Sequence, residues 1–502
     1  MEAKIAQHVQ ILSSSTSGEN VLKSLQDLNI FVDSRNLNSE QLLMLIPPSL
    51  LFRRLALNHT SEIGYCTSLL KKLLNYMKPE MIITEYEVEA MQGVNHPSVE
   101  VRELCLHQVE RSAQTNSGVL KIIQNLDLVN FIIRNLGHSH MGCATVASNI
   151  VLCVSRHGDG LALLLDSHHH AEFLELMRKS HTVCFRVYEL FVKMFEANQN
   201  AYEQFKPIFT NLADEINSDD VLIQMNCIEL LTDLVNINEA AYRFPEEAGV
   251  NQKLYSILMS VESNPLAALL VPAIIKFFGF LSITNPVFIL DKYPQFYEFI
   301  FNCITSNDPS LLAVAVDTIG AIGLSNEGLA VLFQNESRRN IMLVIGRCLQ
   351  VADEQMKVHF LDCLASLFAS GDTSDKNTLD LIHSLYQKLD ANPLQMLFQV
   401  LKQPFNSVRK SCFKTFYNLV SYQWMLADIN NIPGFFEYLL DRRTENEKEC
   451  QELKYEVIKK MSLSPAVSNV FDKPSVLKLK QFVRDGAFYV GSEVSVSVDE
   501  TQ

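Results

Sequence analysis

A compact apolar residue returns along this chain at intervals of 39 to 49 positions, each time in the same local setting. The anchors are Cys66, Cys105, Ala147, Val187, Cys227, Ile274, Ala315, Cys363, Cys412 and Val457. An apolar residue often follows one position later and another four later, as in Leu106 with Val109, Ile228 with Leu231, and Leu364 with Leu367. A period near 42 is the signature of stacked helical repeats, and it constrains the fold more tightly than any single motif. In such an array each repeat packs one helix between its neighbours, and where backbones approach closely only compact side chains fit. Half of the anchors are cysteine, which behaves in a core as a small hydrophobe.

The surrounding segments align on these anchors. "HPSVEVRELCLHQVERSA" begins at His96, "SDDVLIQMNCIELLTDLV" at Ser218, "NPLAALLVPAIIKFFGFLS" at Asn264 and "NDPSLLAVAVDTIGAIGLS" at Asn307. Pro97, Pro265 and Pro309 open three of them, where a fixed φ and a missing N–H suit entry into a helix. Several units continue through a polar break into a second apolar helix, such as "EEAGVNQKLYSILMSV" from Glu246. The glycine after the break favours an armadillo-like unit, with a two-helix HEAT-like unit as the other option. The expected fold is therefore an all-α, armadillo/HEAT-like solenoid of about ten helical repeats. We expect a helical cap over residues 1–57, repeats over 58–465, and a C-terminal cap with a loose tail over 466–502. Strand-like alternation is confined to "GSEVSVSVDETQ" at the end. With 18 glycines and 16 prolines in 502 residues, neither an all-β chain nor long disorder is indicated.

The remaining composition narrows the function. Eleven cysteines without any C-x-x-C, behind an N-terminus that lacks the basic and apolar regions of a signal peptide, lead us to expect buried reduced thiols in a cytoplasmic or nuclear protein. The apolar stretch from Leu266 to Leu290 is interrupted by Pro272, Lys276, Asn285 and Pro286 and carries the anchor Ile274 in phase. It reads as a buried repeat rather than a membrane span. A formal charge of −15 argues against a nucleic-acid partner, and the only dense basic groupings are short ones such as Arg338–Arg339 and Arg442–Arg443. The acidic run "ADEINSDD" from Ala213 reads as a helix-capping turn, or as one edge of a surface for a basic partner.

No phosphate-binding, dinucleotide-binding, metalloprotease or nucleophile-elbow motif occurs. His168, His169 and His170 are adjacent and not spaced as metal ligands, and "HGDG" from His157 has no nucleophile beside it. We expect no enzyme activity, no cofactor and no metal. Trp424, the single tryptophan, reads as a capping contact more than as a binding hot spot. The classes left open are a protein-binding scaffold and a transport adaptor. The lone tryptophan argues against the ladder of tryptophans and asparagines with which peptide-carrying armadillo proteins line their groove.

A set of segments is more specific. "CFRVYELF" from Cys184, "DVLIQMNCIELLTDL" from Asp220, "KFFGFLS" from Lys276, "DPSLLAVAVDTIGAIGLSNEGLAVL" from Asp308, "IPGFFEYLLDR" from Ile432, "LKYEVIKKM" from Leu453 and "DGAFYVGSEVSVS" from Asp485 run in one order. Together they resemble the family of 26S proteasome non-ATPase regulatory subunit 5, the proteasome base assembly chaperones, from about residue 40 to about residue 495. The first 40 residues and "QNESRRNIMLVIGRCLQ" depart from that pattern.

The resemblance implies a non-catalytic chaperone for the base of the proteasome regulatory particle. Such a chaperone cradles the C-terminal domain of ATPase regulatory subunit 7, in a module with ATPase regulatory subunit 4 and non-ATPase regulatory subunit 2, and leaves before the mature particle forms. It implies a chain that is monomeric until it binds, with no nucleic acid or membrane as partner. On this reading the partner would meet the helices that follow each anchor helix: "DLVNFIIRNL" from Asp127, "AEFLELM" from Ala171 and "VNQKLYSIL" from Val250. The candidate contact residues there are Arg134, Glu172, Glu175, Arg178 and Lys253, weighed against a plain solvated face. Arg186, Glu189, Lys276 and Asp317, polar in otherwise apolar helices, read instead as bonds between repeats.

Overall fold

Ten long helices carry the ten anchors, and an eleventh precedes them. In a computed structural model, which describes residues 2–14, 18–33, 39–261, 263–306, 308–369 and 375–489, the chain divides into two units at Phe244 and Pro245. In the first unit the long helices are α1 (Glu19–Asp33), α2 (Thr60–Asn75), α3 (Val99–Ala113), α4 (Met141–Ser155), α5 (His181–Ala197) and α6 (Val221–Val235). In the second they are α7 (Val271–Thr284), α8 (Pro309–Gly323), α9 (Glu354–Leu367), α10 (Asn406–Leu419) and α11 (Lys448–Leu463). Within each unit every long helix packs on the next, forming one continuous layer, which we call the ladder. Among the described residues there is no strand. The fold is an all-α solenoid of helical repeats, and the tail from Gly491 lies outside the described residues.

The anchors occupy the packed centre of this layer. Cys363 is 3% exposed, Val457 1%, and the other eight are fully buried. Their compactness has the cause read from the sequence. A Cβ placed on Gly93 would lie 2.1 Å from the Cys105 sulfur, and one on Gly320 would lie 2.9 Å from the Cys363 Cα. At these two contacts, backbones that close leave no room for a branched chain.

The repeat is armadillo-like, with two shorter helices after most of the long ones. After α3 come Asn116–Gln124 and Leu126–Asn135, and after α4 come Gly158–Leu164 and Ser167–Met177. A glycine marks two of the breaks between the shorter helices. Gly249, at φ +75°, precedes Val250–Met259, and Gly434, at φ +82°, precedes Phe435–Leu440. A left-handed residue there turns the chain sharply between helices without the Cβ clash that other residues would suffer.

The apolar segment Ala267–Thr284 is long and apolar enough to cross a membrane by composition, with a mean hydropathy of 2.0. In the fold its helix α7 buries Ile274, Ile275, Phe277 and Phe278 and packs on α8. One arginine of each basic grouping is also taken up by the fold. Arg338 is buried, bonds to Glu298 at 2.6 Å and to the Val331 carbonyl at 3.2 Å, and lies over the rings of Tyr297 and Phe301. Arg442 donates to the carbonyls of Phe482 and Gly486 at 3.0 and 2.6 Å, capping the final helix, Lys473–Asp485.

Candidate partner-binding surface

Most repeats give the ladder one long helix and follow it with two shorter ones. A groove of about 1130 Å³ runs across α4, α5 and α6. Its walls include Asn149 on α4, Glu189, Lys193 and Glu196 on α5, and Glu229 and Asp233 on α6. The sequence reading put the partner-facing side on the helices that follow each anchor helix, and the groove lies on the long helices instead. Periodicity identifies the buried stripe of each helix. It does not say where side chains of successive helices leave a groove.

The five candidate residues stand elsewhere. Arg134 is exposed on Leu126–Asn135 and Glu172 is half-buried on Ser167–Met177, and the two form an ion pair at 3.2 Å that ties adjacent repeats. Glu175 is exposed on the same helix as Glu172, and Arg178 is exposed at that helix's C-terminal cap. Lys253 is exposed on Val250–Met259, in the second unit. None of the five lines the groove.

The polar residues inside apolar helices divide. Arg186 bridges repeats by donating to the carbonyls of Leu136 and, at 3.4 Å, His138. Asp317 bridges them through His359 at 2.8 Å. Glu189 pairs with Lys193 one turn away on α5 at 2.6 Å, and Lys276 stands exposed on α7. The acidic run from Ala213 works largely as a cap, Asp220 accepting from the Leu222 N–H at 2.8 Å to start α6. Trp424 stacks between His383 and Tyr422, with ring centroids 4.6 and 5.2 Å away.

No group of His, Cys, Asp and Glu among the described residues could hold a metal ion. Burial pushes every cysteine thiol up from its ordinary value, Cys66 and Cys105 to about 12, so these side chains are packing elements rather than nucleophiles. What the arrangement offers is a broad groove of helix faces, suited to another macromolecule.

The family model described as "Proteasome non-ATPase 26S subunit" matches residues 1–501. The chain belongs to this family. The match takes in the first 40 residues, where the family segments are hard to see by eye. Bovine 26S proteasome non-ATPase regulatory subunit 5 is 29% identical over 473 residues, 93% of each chain. The human protein of the same name is 29% identical over 454 residues, 89% of this chain and 90% of its own. Both relatives are by name non-ATPase subunits, in keeping with a helical-repeat fold. Among solved structures, an engineered protein covers 92% of this chain and 99% of its own at 12% identity, with a TM-score of 0.42. The repeat architecture rests on the helices described above and not on that likeness.

Proposed function

We propose that this family member is a non-catalytic chaperone for assembly of the base of the proteasome regulatory particle. It binds the C-terminal domain of ATPase regulatory subunit 7, in a module with ATPase regulatory subunit 4 and non-ATPase regulatory subunit 2, and is released before the mature particle forms. The observation that carries this reading is the family match from end to end, on a fold whose first unit presents a groove across three ladder helices. Helical-repeat stacks bind by spreading many moderate contacts over a long surface.

The mechanism needs no catalytic step. An ATPase subunit exposes ring-forming surfaces until its neighbours arrive. The chaperone covers one of them. Ring closure or docking on the core particle then competes for the same surface and shifts the population to the released state. The chain acts as a monomer in the cytoplasm or nucleus.

The test is calorimetric titration of the full chain with the purified C-terminal domain of each proteasomal ATPase. Saturable binding of the subunit 7 domain alone, without nucleotide hydrolysis, is the expected result. Absence of binding by every domain would remove the reading and leave a repeat scaffold whose partner must be sought among other proteins.

A further inference from the structure

We infer that the groove of the first unit receives an amphipathic helix whose apolar stripe is flanked by lysine or arginine. This rests on the chaperone reading and names the chemistry of the segment that would enter the groove. The side chains at its base are apolar and recur every seven positions. They are Phe185 and Val192 on α5, Ile223 and Leu230 on α6, and Ile237 just past its end. Val192 and Ile223 are buried and the other three are half-buried. Met141 and Leu222, at the starts of α4 and α6, are 62% and 69% exposed and carry the apolar line to one end of the groove.

Four exposed acids stand beside that line, among neutral exposed residues such as Thr145, Asn149 and Asn226. Glu189 and Glu196 lie on α5, and Glu229 and Asp233 lie one turn apart on α6. The two cations of the lining are already engaged. Arg186 is held by the carbonyls of Leu136 and His138, and Lys193 is paired with Glu189. Glu196, Glu229 and Asp233 therefore face the groove without an ion pair among the described residues.

An apolar base flanked by acids on α5 and α6 has a natural complement. A helix can put a stripe of apolar residues into the groove and a basic residue on each side of it, every turn. An extended strand turns alternate side chains away and cannot meet both walls along its length. Charges at an exposed rim act chiefly on the encounter rate and the salt dependence, and this makes the inference testable.

The probe is a synthetic amphipathic helix of about 14 residues, roughly 21 Å long, with leucine on one face and lysine on the flanks. It is titrated against the full chain by fluorescence anisotropy. Saturable binding is expected, weakened about tenfold by the double charge reversal Glu229→Lys with Asp233→Lys, and weakened similarly between about 50 and about 300 mM salt. Thermal unfolding of the variant should match the wild type, because both side chains are exposed. Glu203→Lys, exposed and outside the groove, should leave binding unchanged. Equal affinity for a leucine–glutamate helix, or unchanged affinity in the double variant, would overturn the inference. The two proposals separate cleanly. If an ATPase domain binds but ignores both charge reversal and salt, the groove inference fails and the chaperone reading stands. If the peptide binds as described and no ATPase domain does, the groove chemistry stands alone.

Discussion

Cys227 and Cys412 occupy equivalent places in the two units, and each thiol reaches a main-chain carbonyl fifteen residues back. The acceptors are Leu212 at 3.0 Å and Leu397 at 3.6 Å. Cysteine suits the anchor position because it is compact and apolar and still offers a weak donor. Glycine serves where even that is too large. Gly320 on α8 faces the anchor Cys363 on α9, and the nearest atom to an added Cβ is a backbone Cα, which cannot rotate away. Gly320→Ala should therefore push α8 and α9 apart and lower stability by about 1–3 kcal/mol, although alanine is the better helix former. A denaturant titration checks this. A variant as stable as the wild type would show that the ladder yields at that contact. The anchors themselves were readable from spacing alone. The glycines that face them were not, because a close approach is made by two residues from different repeats.

Among the elements, the junction before α11 depends on a buried cation. The Lys454 ammonium donates to the carbonyls of Tyr438 and Asp441 at 2.9 and 2.6 Å and to the Thr444 hydroxyl at 2.6 Å, closing the end of Phe435–Leu440. The Arg409–Glu445 ion pair lies beside it, Glu445 being buried. Burial draws the Lys454 pKa down to about 8 from its ordinary 10.5, against the pull of Glu445 and Asp441. Lys454→Met keeps the length of the stem but removes the donor from the Tyr438 carbonyl and one of the donors to the Asp441 carbonyl, and should cost about 2–4 kcal/mol. The pH dependence has a definite sign. Between pH 8 and 10.5 the unfolded chain binds more protons at this site than the folded one, so the lysine's contribution to stability rises with pH. The gap between wild type and the methionine variant should widen over that window. A constant gap would mean that the lysine does not titrate there. This element was hidden in the sequence, where "LKYEVIKKM" shows an ordinary amphipathic helix. The Arg134–Glu172 pair was better signalled, since opposite charges one repeat apart, 38 positions here, are brought side by side by stacking.

At the level of the whole molecule, eleven thiols titrate together. All have pKa values raised from an ordinary value of 9.0, with burial the first cause of each. A raised pKa in the folded state means stability that is complete below pH 9 and lost as pH rises, because the unfolded thiols ionise first. Each such thiol lowers stability by up to about 1.4 kcal/mol per pH unit above that point. Urea midpoints measured under reducing conditions should be nearly level from pH 7 to 8.5 and fall steeply from 9 to 10. Midpoints that stay level to pH 10 would mean the thiols are equally protected in the unfolded chain.

The sequence by itself determined the repeat, its period, the buried stripe of each long helix and the family, because all four are carried by residues near in the chain or by their regular recurrence. It also placed Arg186 and Asp317 between repeats, where a polar side chain in an apolar helix must find a partner. Tertiary structure alone placed a groove across α4, α5 and α6, away from Arg134, Glu172, Glu175, Arg178 and Lys253. The reason is geometric. Periodicity records that a helix has an inner face, while a groove is made by side chains of three helices about 40 positions apart, a juxtaposition that no local pattern contains.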